Sequence, residues 1–252
     1  MTSKKKRIEV IPNPEKKLSE QWSDNDNWIS WPRPFRWCIM GKPSCGKTSL
    51  ILNYLIKGKP FDNIFLMHPQ TYNANISAED EAVNKNILLN PKLIDIPEYK
   101  GVSYHSLAYL PSMTYFDNLK KHSLFIIDDI DLISYTKKRR ELREERLNKL
   151  FSYVSTHKNV SIIVSSQDPS SQLPTFILKM CNVITVYQVR DEYIIQTMSR
   201  KLSVGYKRLK KLLELCKSKH DSLTFDYTDG SPAEVRYNIY TQITEVKDGT
   251  KT

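Results

Sequence analysis

Short apolar runs alternate along the chain with segments whose apolar residues recur at helical spacing. The apolar runs predict buried strands at residues 35–40, 64–67, 123–129, 160–166 and 182–189. Helices with a buried stripe are predicted around two sets of residues: Leu50, Ile51, Tyr54 and Leu55, then Leu147, Leu150, Phe151 and Val154. Strands that alternate with helices predict an α/β fold whose mostly parallel sheet binds ligands at the carboxyl ends of its strands.

The ends of the chain follow other patterns. Residues 223–227 and 235–240, joined through Asp229-Gly230-Ser231-Pro232, predict an antiparallel hairpin at one edge of the sheet. Residues 203–219 predict a basic amphipathic helix, and the polar residues 70–100 predict a surface insertion with one short helix. We therefore expect a flexible basic and polar arm (1–30), a single domain (31–245) and a polar tail (246–252).

A phosphate-binding pattern follows the first predicted strand. Residues 41–48 read Gly-Lys-Pro-Ser-Cys-Gly-Lys-Thr, which matches G-x-x-x-x-G-K-[ST] between a strand and a helix. This arrangement directs backbone N–H groups and the positive helix end at phosphates, so we expect a three-layer P-loop NTPase fold that binds ATP with Mg²⁺. Lys47 would reach the β- and γ-phosphates, and the Thr48 hydroxyl would bind the metal. The predicted nucleotide-binding residues are Gly41, Lys42, Pro43, Ser44, Cys45, Gly46, Lys47, Thr48 and Ser49.

Polar side chains end two later strands. Asp128 and Asp129 follow the apolar residues 124–127, about 80 residues after the phosphate loop. We expect Asp128 to hold Mg²⁺ opposite Thr48, and Asp129 to orient and polarise the attacking water. Gln167 closes the next strand, where its side chain can contact both that water and the γ-phosphate.

Charge and cysteine content narrow the class of protein. The chain has 252 residues, a net charge of +10 and a pI of about 9.3, which favours a polyanionic partner. One basic cluster, at residues 137–146, is interleaved with glutamates; the other, at residues 200–219, has only Glu214 to offset it and favours contact with nucleic acid. Four scattered cysteines predict reduced thiols. No signal peptide or membrane-spanning run is evident, so we expect a soluble intracellular protein.

The order of these motifs resembles a known family. The motifs are residues 41–48, 124–129, 160–167 with Leu173-Pro174-Thr175, then 220–224 and 229–232. Together they resemble the genome-packaging ATPases of large double-stranded DNA viruses and virophages, the poxvirus-type branch of the FtsK–HerA superfamily, over about residues 33–240. The resemblance implies a homo-oligomeric ring that hydrolyses ATP to drive double-stranded DNA into a preformed capsid, and so a partnership with capsid vertex proteins. It also implies a location in the host cytoplasm or a viral factory, or with the virion.

In a ring, the neighbouring subunit can supply an arginine that stabilises charge on the transferred phosphate. Such an arginine raises the rate of hydrolysis ~10³–10⁵-fold. Arg190 is the first candidate for this catalytic role, and Arg200 the second, followed by Arg139 and Arg140. The family often carries arginine after Leu-Pro, where this chain has Lys179 instead, so the choice stays open.

Four other classes of protein share parts of this pattern. A DNA translocase or helicase-like ATPase for replication or DNA transfer would use the same chemistry. A nucleotide kinase would need an arginine-rich lid bounded by glycines, and a chaperone-like ring ATPase a helical lid domain; neither segment is evident. A non-hydrolysing module could bind nucleotide and organise DNA through its basic surface.

Overall fold

The computed structural model describes residues 31–58, 60–67, 103–106, 113–117, 122–129, 137–168, 173–230, 233–239 and 241–243. The predicted arm (1–30), surface insertion (70–100) and polar tail (246–252) lie outside this part of the chain. The proposed domain limits therefore stay predictions.

Nine strands form one sheet within the described residues. They are β1 (Arg36–Met40), β2 (Asn63–Met67), β3 (Ser103–Ser106), β4 (Ser123–Ile127), β5 (Val160–Ser166), β6 (Val183–Tyr187), β7 (Ser222–Asp226), β8 (Glu234–Tyr237) and β9 (Thr241–Gln242). The helices are α1 (Lys47–Lys57), α2 (Lys137–Lys149), α3 (Thr175–Met180), α4 (Glu192–Leu202) and α5 (Tyr206–Leu213). A π-helical stretch (Leu150–Val154) and a helical turn (Ser155–His157) extend α2, and Met113–Phe116 form a 3₁₀ turn.

The sheet order is β3-β2-β4-β5-β1-β6-β7-β8-β9. The six strands from β3 to β6 run parallel, and β7, β8 and β9 are antiparallel to their neighbours. The predicted α/β fold with a mostly parallel sheet and a C-terminal antiparallel edge is therefore confirmed. Since β5 lies between β1 and β4, the carboxyl ends of all three strands meet at one edge.

Alternate residues of the central strands are buried on opposite faces of the sheet. Trp37 and Ile39 of β1 belong to one apolar cluster, to which α1 contributes Ile51, Tyr54 and Leu55. Cys38 and Met40 belong to the other cluster, in which residues of α2, α3, α4 and α5 pack. Helices thus cover both faces, which gives the three layers that the sequence predicts.

The basic segment near the C-terminus differs from its prediction. A single helix was expected over 203–219, but the described chain has α4 ending at Leu202 and α5 spanning only Tyr206–Leu213. Ser203 separates them with a left-handed φ of 54°. The expectation that only Glu214 offsets this charge is also wrong, because Glu192 of α4 pairs with Lys210 at 2.5 Å.

All four cysteines are buried and free in this structure. Of the helices described here, none has the length and apolar character needed to cross a membrane.

Candidate nucleotide-binding site

The loop between β1 and α1 contains residues with positive φ angles, and its ends are fixed by backbone hydrogen bonds. The Gly41 amide donates to the Ser166 carbonyl at 3.1 Å, which ties the loop to the end of β5. Ser44 and Gly46 have left-handed φ angles of 58° and 112°, a region that glycine enters without steric cost. The chain then enters α1, where the Leu50 amide donates to the Gly46 carbonyl at 2.8 Å. The first amides of α1 therefore open into the cleft beside the loop.

Glycine is required at position 41 because its neighbours approach too closely for a side chain. A Cβ there would lie 2.7 Å from both Cys45 Sγ and Tyr187 Cβ. Cβ atoms essentially never approach other atoms this closely. The first glycine of the motif thus allows the loop to pack against the end of β6.

Lys47 is almost completely buried and lies along the inside of the loop. Its Nζ donates to the carbonyls of Gly41 at 2.9 Å and Lys42 at 3.3 Å, and lies 3.5 Å from Asp129 Oδ1. The ammonium group is therefore held between the loop and the carboxyl end of β4.

Asp128 meets Thr48, 80 positions away in the sequence. The Thr48 hydroxyl donates to Asp128 Oδ2 at 2.9 Å, and the Ser165 hydroxyl donates to Asp128 Oδ1 at 2.5 Å. The Asp128 amide donates to the Met67 carbonyl at 2.9 Å, which fixes its backbone against β2. A hydroxyl and a carboxylate are the hard oxygen ligands that Mg²⁺ prefers, so this pair fits the metal predicted for it.

Asp129 is held in a strained backbone conformation, with φ at 51°. Its amide donates to Ser165 Oγ at 2.8 Å, and its Oδ2 accepts from Gln167 Nε2 at 3.0 Å. Its Oδ1 is buried, has no hydrogen-bond partner and faces the Lys47 ammonium group. The two predicted water-positioning residues, Asp129 and Gln167, thus contact each other at the lining of the cleft.

Sequence reasoning missed Ser165, whose single hydroxyl bridges Asp128 and the Asp129 amide. Its only signal is that serines occur on a strand buried at every position, in Val-Ser-Ile-Ile-Val-Ser-Ser, and this pattern does not separate Ser165 from Ser161 and Ser166. His220 was also missed as a site residue, although its Nδ1 lies 2.9 Å from the Cys45 carbonyl. The 175 positions between them leave no local signal.

The arginine candidates lie elsewhere. Among the described residues that line the nucleotide cleft, none is an arginine. Arg190 is exposed just beyond β6 and lines a second cavity of about 280 Å³ with Glu192 and Lys210. Arg200 is exposed on α4. Any role in hydrolysis would be on a neighbouring subunit's nucleotide, so the assignment of Arg190 stays a prediction.

The loop cysteine is not arranged as a nucleophile. Burial raises the pKa of the Cys45 thiol, and the nearby Lys47 ammonium opposes that effect only in part. The thiol therefore stays protonated at neutral pH, whereas reactive cysteines have a lowered pKa.

The fold and this site define a class of protein. A glycine-bounded loop carrying lysine and threonine, facing an aspartate pair at the end of a nearby parallel strand, is the arrangement of a P-loop NTPase. No protein-family model matches the chain, and no curated protein does either.

Solved structures give a likeness across nearly the whole chain. One is the DNA-packaging ATPase B204 from Sulfolobus turreted icosahedral virus, with a TM-score of 0.50 and 17% identity over 82% of this chain and 97% of that chain. Another is the genome-packaging NTPase B204 from Sulfolobus turreted icosahedral virus 2 in complex with ATP-gammaS, with a TM-score of 0.50 and 14% identity over 84% of this chain and 98% of that chain. The predicted resemblance to packaging ATPases is thus confirmed, and at these identities it establishes the fold.

Proposed function

We propose that this protein is an ATP-hydrolysing motor that translocates double-stranded viral DNA into a preformed capsid. The observation that carries the proposal is that Lys47, Thr48, Asp129 and Gln167, from three separate segments, line one cleft. Asp128 joins them through its hydrogen bond to Thr48. The likeness in fold to packaging ATPases supports it. Such a motor would act in the host cytoplasm or a viral factory.

The residues divide the chemistry among themselves. Thr48 and Asp128 would hold Mg²⁺, which neutralises phosphate charge when bound. A bound triphosphate offers Lys47 a fully charged partner in place of the loop carbonyls. Asp129 Oδ1, which Lys47 faces in this structure, is then free to accept a hydrogen bond from the attacking water. Gln167 keeps the Asp129 carboxylate oriented through its bond to Oδ2.

A ring would complete the site. Charge that develops on the transferred phosphate needs a positive group beyond Lys47, and an arginine supplied in trans gives ~10³–10⁵ in rate. Because the described residues of the cleft include no arginine, we assign this role to Arg190 of the neighbouring subunit, with Arg200 as the alternative. Hydrolysis in one subunit is then coupled to movement in the next.

The basic face of α5 and the loop after it is the proposed DNA contact. Leu209, Leu212 and Leu213 are buried, so the opposite side of α5 faces outward. Five exposed cations lie on that side or in the following loop: Lys207, Arg208, Lys211, Lys217 and Lys219. If about five phosphates are neutralised, log K falls with log salt at a slope of roughly −4 to −5. A salt-insensitive affinity, measured by fluorescence anisotropy, would contradict this contact.

Phosphate release with and without duplex DNA tests the function. We expect activity in the wild type, stimulation by duplex DNA, and loss of activity in Lys47→Ala and Asp129→Asn. Lys149→Ala is the control, because Lys149 is an exposed lysine of α2 that is not among the described residues lining the cleft and should leave turnover nearly unchanged. Turnover unaffected by either Lys47→Ala or Asp129→Asn would refute the enzymatic assignment.

Further readouts separate the alternatives. Strand separation on a forked substrate would indicate a helicase, and phosphate transfer to an acceptor other than water a kinase. Unchanged DNA handling in Asp129→Asn would indicate a non-hydrolysing module. A monomer under all nucleotide and DNA conditions would refute the ring and leave the site intact.

A further inference from the structure

The cleft extends well beyond the phosphate loop. It encloses about 700 Å³, a volume typical of sites for whole small ligands. One part is lined by the loop, Asp129 and Gln167, and the triphosphate is proposed to bind there. The other part is lined by residues from three later segments, which have no role so far: Tyr187, His220, Ser222 and Asn238.

His220 is held in one orientation beside the loop. Its Nδ1 lies 2.9 Å from the Cys45 carbonyl. A carbonyl oxygen can only accept a hydrogen bond, so Nδ1 must carry the hydrogen, and Nε2 of the neutral ring is then an acceptor. His220 lines the cleft, so in this tautomer its ring contributes one acceptor nitrogen to the wall.

The segment that carries His220 is firmly anchored. Asp221 Oδ2 accepts from the amides of Lys217 and Ser218, both at 2.8 Å. Gln188 Nε2 donates to the Cys216 carbonyl at 2.7 Å and the Lys217 carbonyl at 3.2 Å. The acceptor is thus positioned before any ligand arrives, which lowers the entropy cost of binding.

The rest of this wall is also fixed. Asn238 Oδ1 accepts from the Ser222 amide at 2.8 Å, which joins the start of β7 to the end of β8. Tyr187 is buried at the end of β6, and its hydroxyl would lie 3.5 Å from a Cβ placed on Gly46. The wall therefore adjoins the loop on the side of Cys45 and Gly46.

We propose that Tyr187, His220 and Ser222 form the nucleoside subsite of this cleft, and that His220 Nε2 accepts a hydrogen bond from the nucleoside. The inference rests on the proposed function, because it requires a triphosphate in the loop. A nucleoside offers two kinds of donor, the exocyclic amino group of the base and the ribose hydroxyls. His220 is accordingly a residue that determines nucleotide specificity.

Calorimetric titration of the full chain tests the proposal with four ligands: ATP, ITP, 2′,3′-dideoxy-ATP and inorganic tripolyphosphate. His220→Asn keeps an amide donor near the position of Nδ1 and removes Nε2, whereas His220→Gln places an amide near Nε2. We expect His220→Asn to weaken ATP binding about 3- to 10-fold, the effect of one hydrogen bond, and to leave tripolyphosphate binding unchanged. His220→Gln should retain more of the ATP affinity. If the wild type binds ITP more weakly than ATP by a similar factor, the amino group of the base is the donor. If it instead binds dideoxy-ATP more weakly by that factor, a ribose hydroxyl is the donor.

Three results would overturn the proposal. Wild-type affinity of His220→Asn for ATP would remove the acceptor role. An equal loss for ATP and tripolyphosphate would show that His220 acts only on the loop through Cys45. Equal affinities of the wild type for ATP, ITP and dideoxy-ATP would show that neither donor group contributes to binding, which would also refute the proposal. If the wild type binds neither ATP nor tripolyphosphate, the proposed function itself fails; normal ATP hydrolysis with no effect at His220 refutes this inference alone.

Discussion

Ser165→Ala removes a hydroxyl that holds Asp128 and Asp129 in place but is not itself among the described residues lining the cleft. The Ser165 hydroxyl is fully buried, donates to Asp128 Oδ1 at 2.5 Å and accepts from the Asp129 amide at 2.8 Å. Alanine would leave one buried carboxylate oxygen and one partly buried amide without this partner. Each such group costs about 1–3 kcal/mol, so we expect the free energy of unfolding to fall by about 2–4 kcal/mol.

Ser161→Ala is the matched control, because Ser161 lies on the same strand and is equally buried. Its hydroxyl accepts one long hydrogen bond, from the Phe35 amide at 3.4 Å. Removing it should cost about 1 kcal/mol or less. Urea denaturation of both variants measures the difference, and ATP turnover measures the consequence for the site.

Turnover should fall in Ser165→Ala beyond what its stability explains, since the Asp128 carboxylate and the Asp129 backbone amide lose their common anchor. The reduced rate should persist at temperatures where the variant is fully folded. Equal stability losses in the two variants, together with unchanged turnover, would refute the view that Ser165 positions the aspartate pair.

Two further predictions concern the loop and the buried ionisable groups. Gly41→Ala would bring a Cβ to 2.7 Å from Cys45 Sγ, so we expect it to abolish ATP binding and to destabilise the fold by about 1–3 kcal/mol. Gly205→Ala is the control, because its Cβ would meet nothing within 4 Å. It should leave both the ATP titration and the thermal melt nearly unchanged. Burial raises the pKa of Cys216 to about 12 and also raises that of Tyr54. These groups stay protonated in the folded protein at a pH where the unfolded chain has begun to ionise, so stability should decline as pH rises above about 9; urea denaturation at pH 8 and pH 10.5 that shows no decline would contradict this.

The basic surface shows how far local patterns reach. Charge spacing indicated a cationic segment after residue 200, and α5 is amphipathic as expected. The break at Ser203 and the pairing of Lys210 with Glu192 were not predicted, because both depend on how two helices pack. The polar strand β3 was missed for a similar reason. Its residues, Ser103–Ser106, show no apolar alternation that would predict a strand, and they form one through pairing with β2.

The amino-acid sequence by itself determined the phosphate loop, its flanking strand and helix, the apolar strand that ends in Asp128 and Asp129, and the hairpin at the sheet edge. These features depend on contacts between residues close in the chain: glycines where φ is positive, apolar periods of two or 3.6, and turn residues between strands. Tertiary structure alone decided that β5 lies between β1 and β4, so that Ser165 bridges the two aspartates, and that His220 reaches the Cys45 carbonyl. Strand order and long-range contacts arise from packing the whole chain, which no short segment specifies.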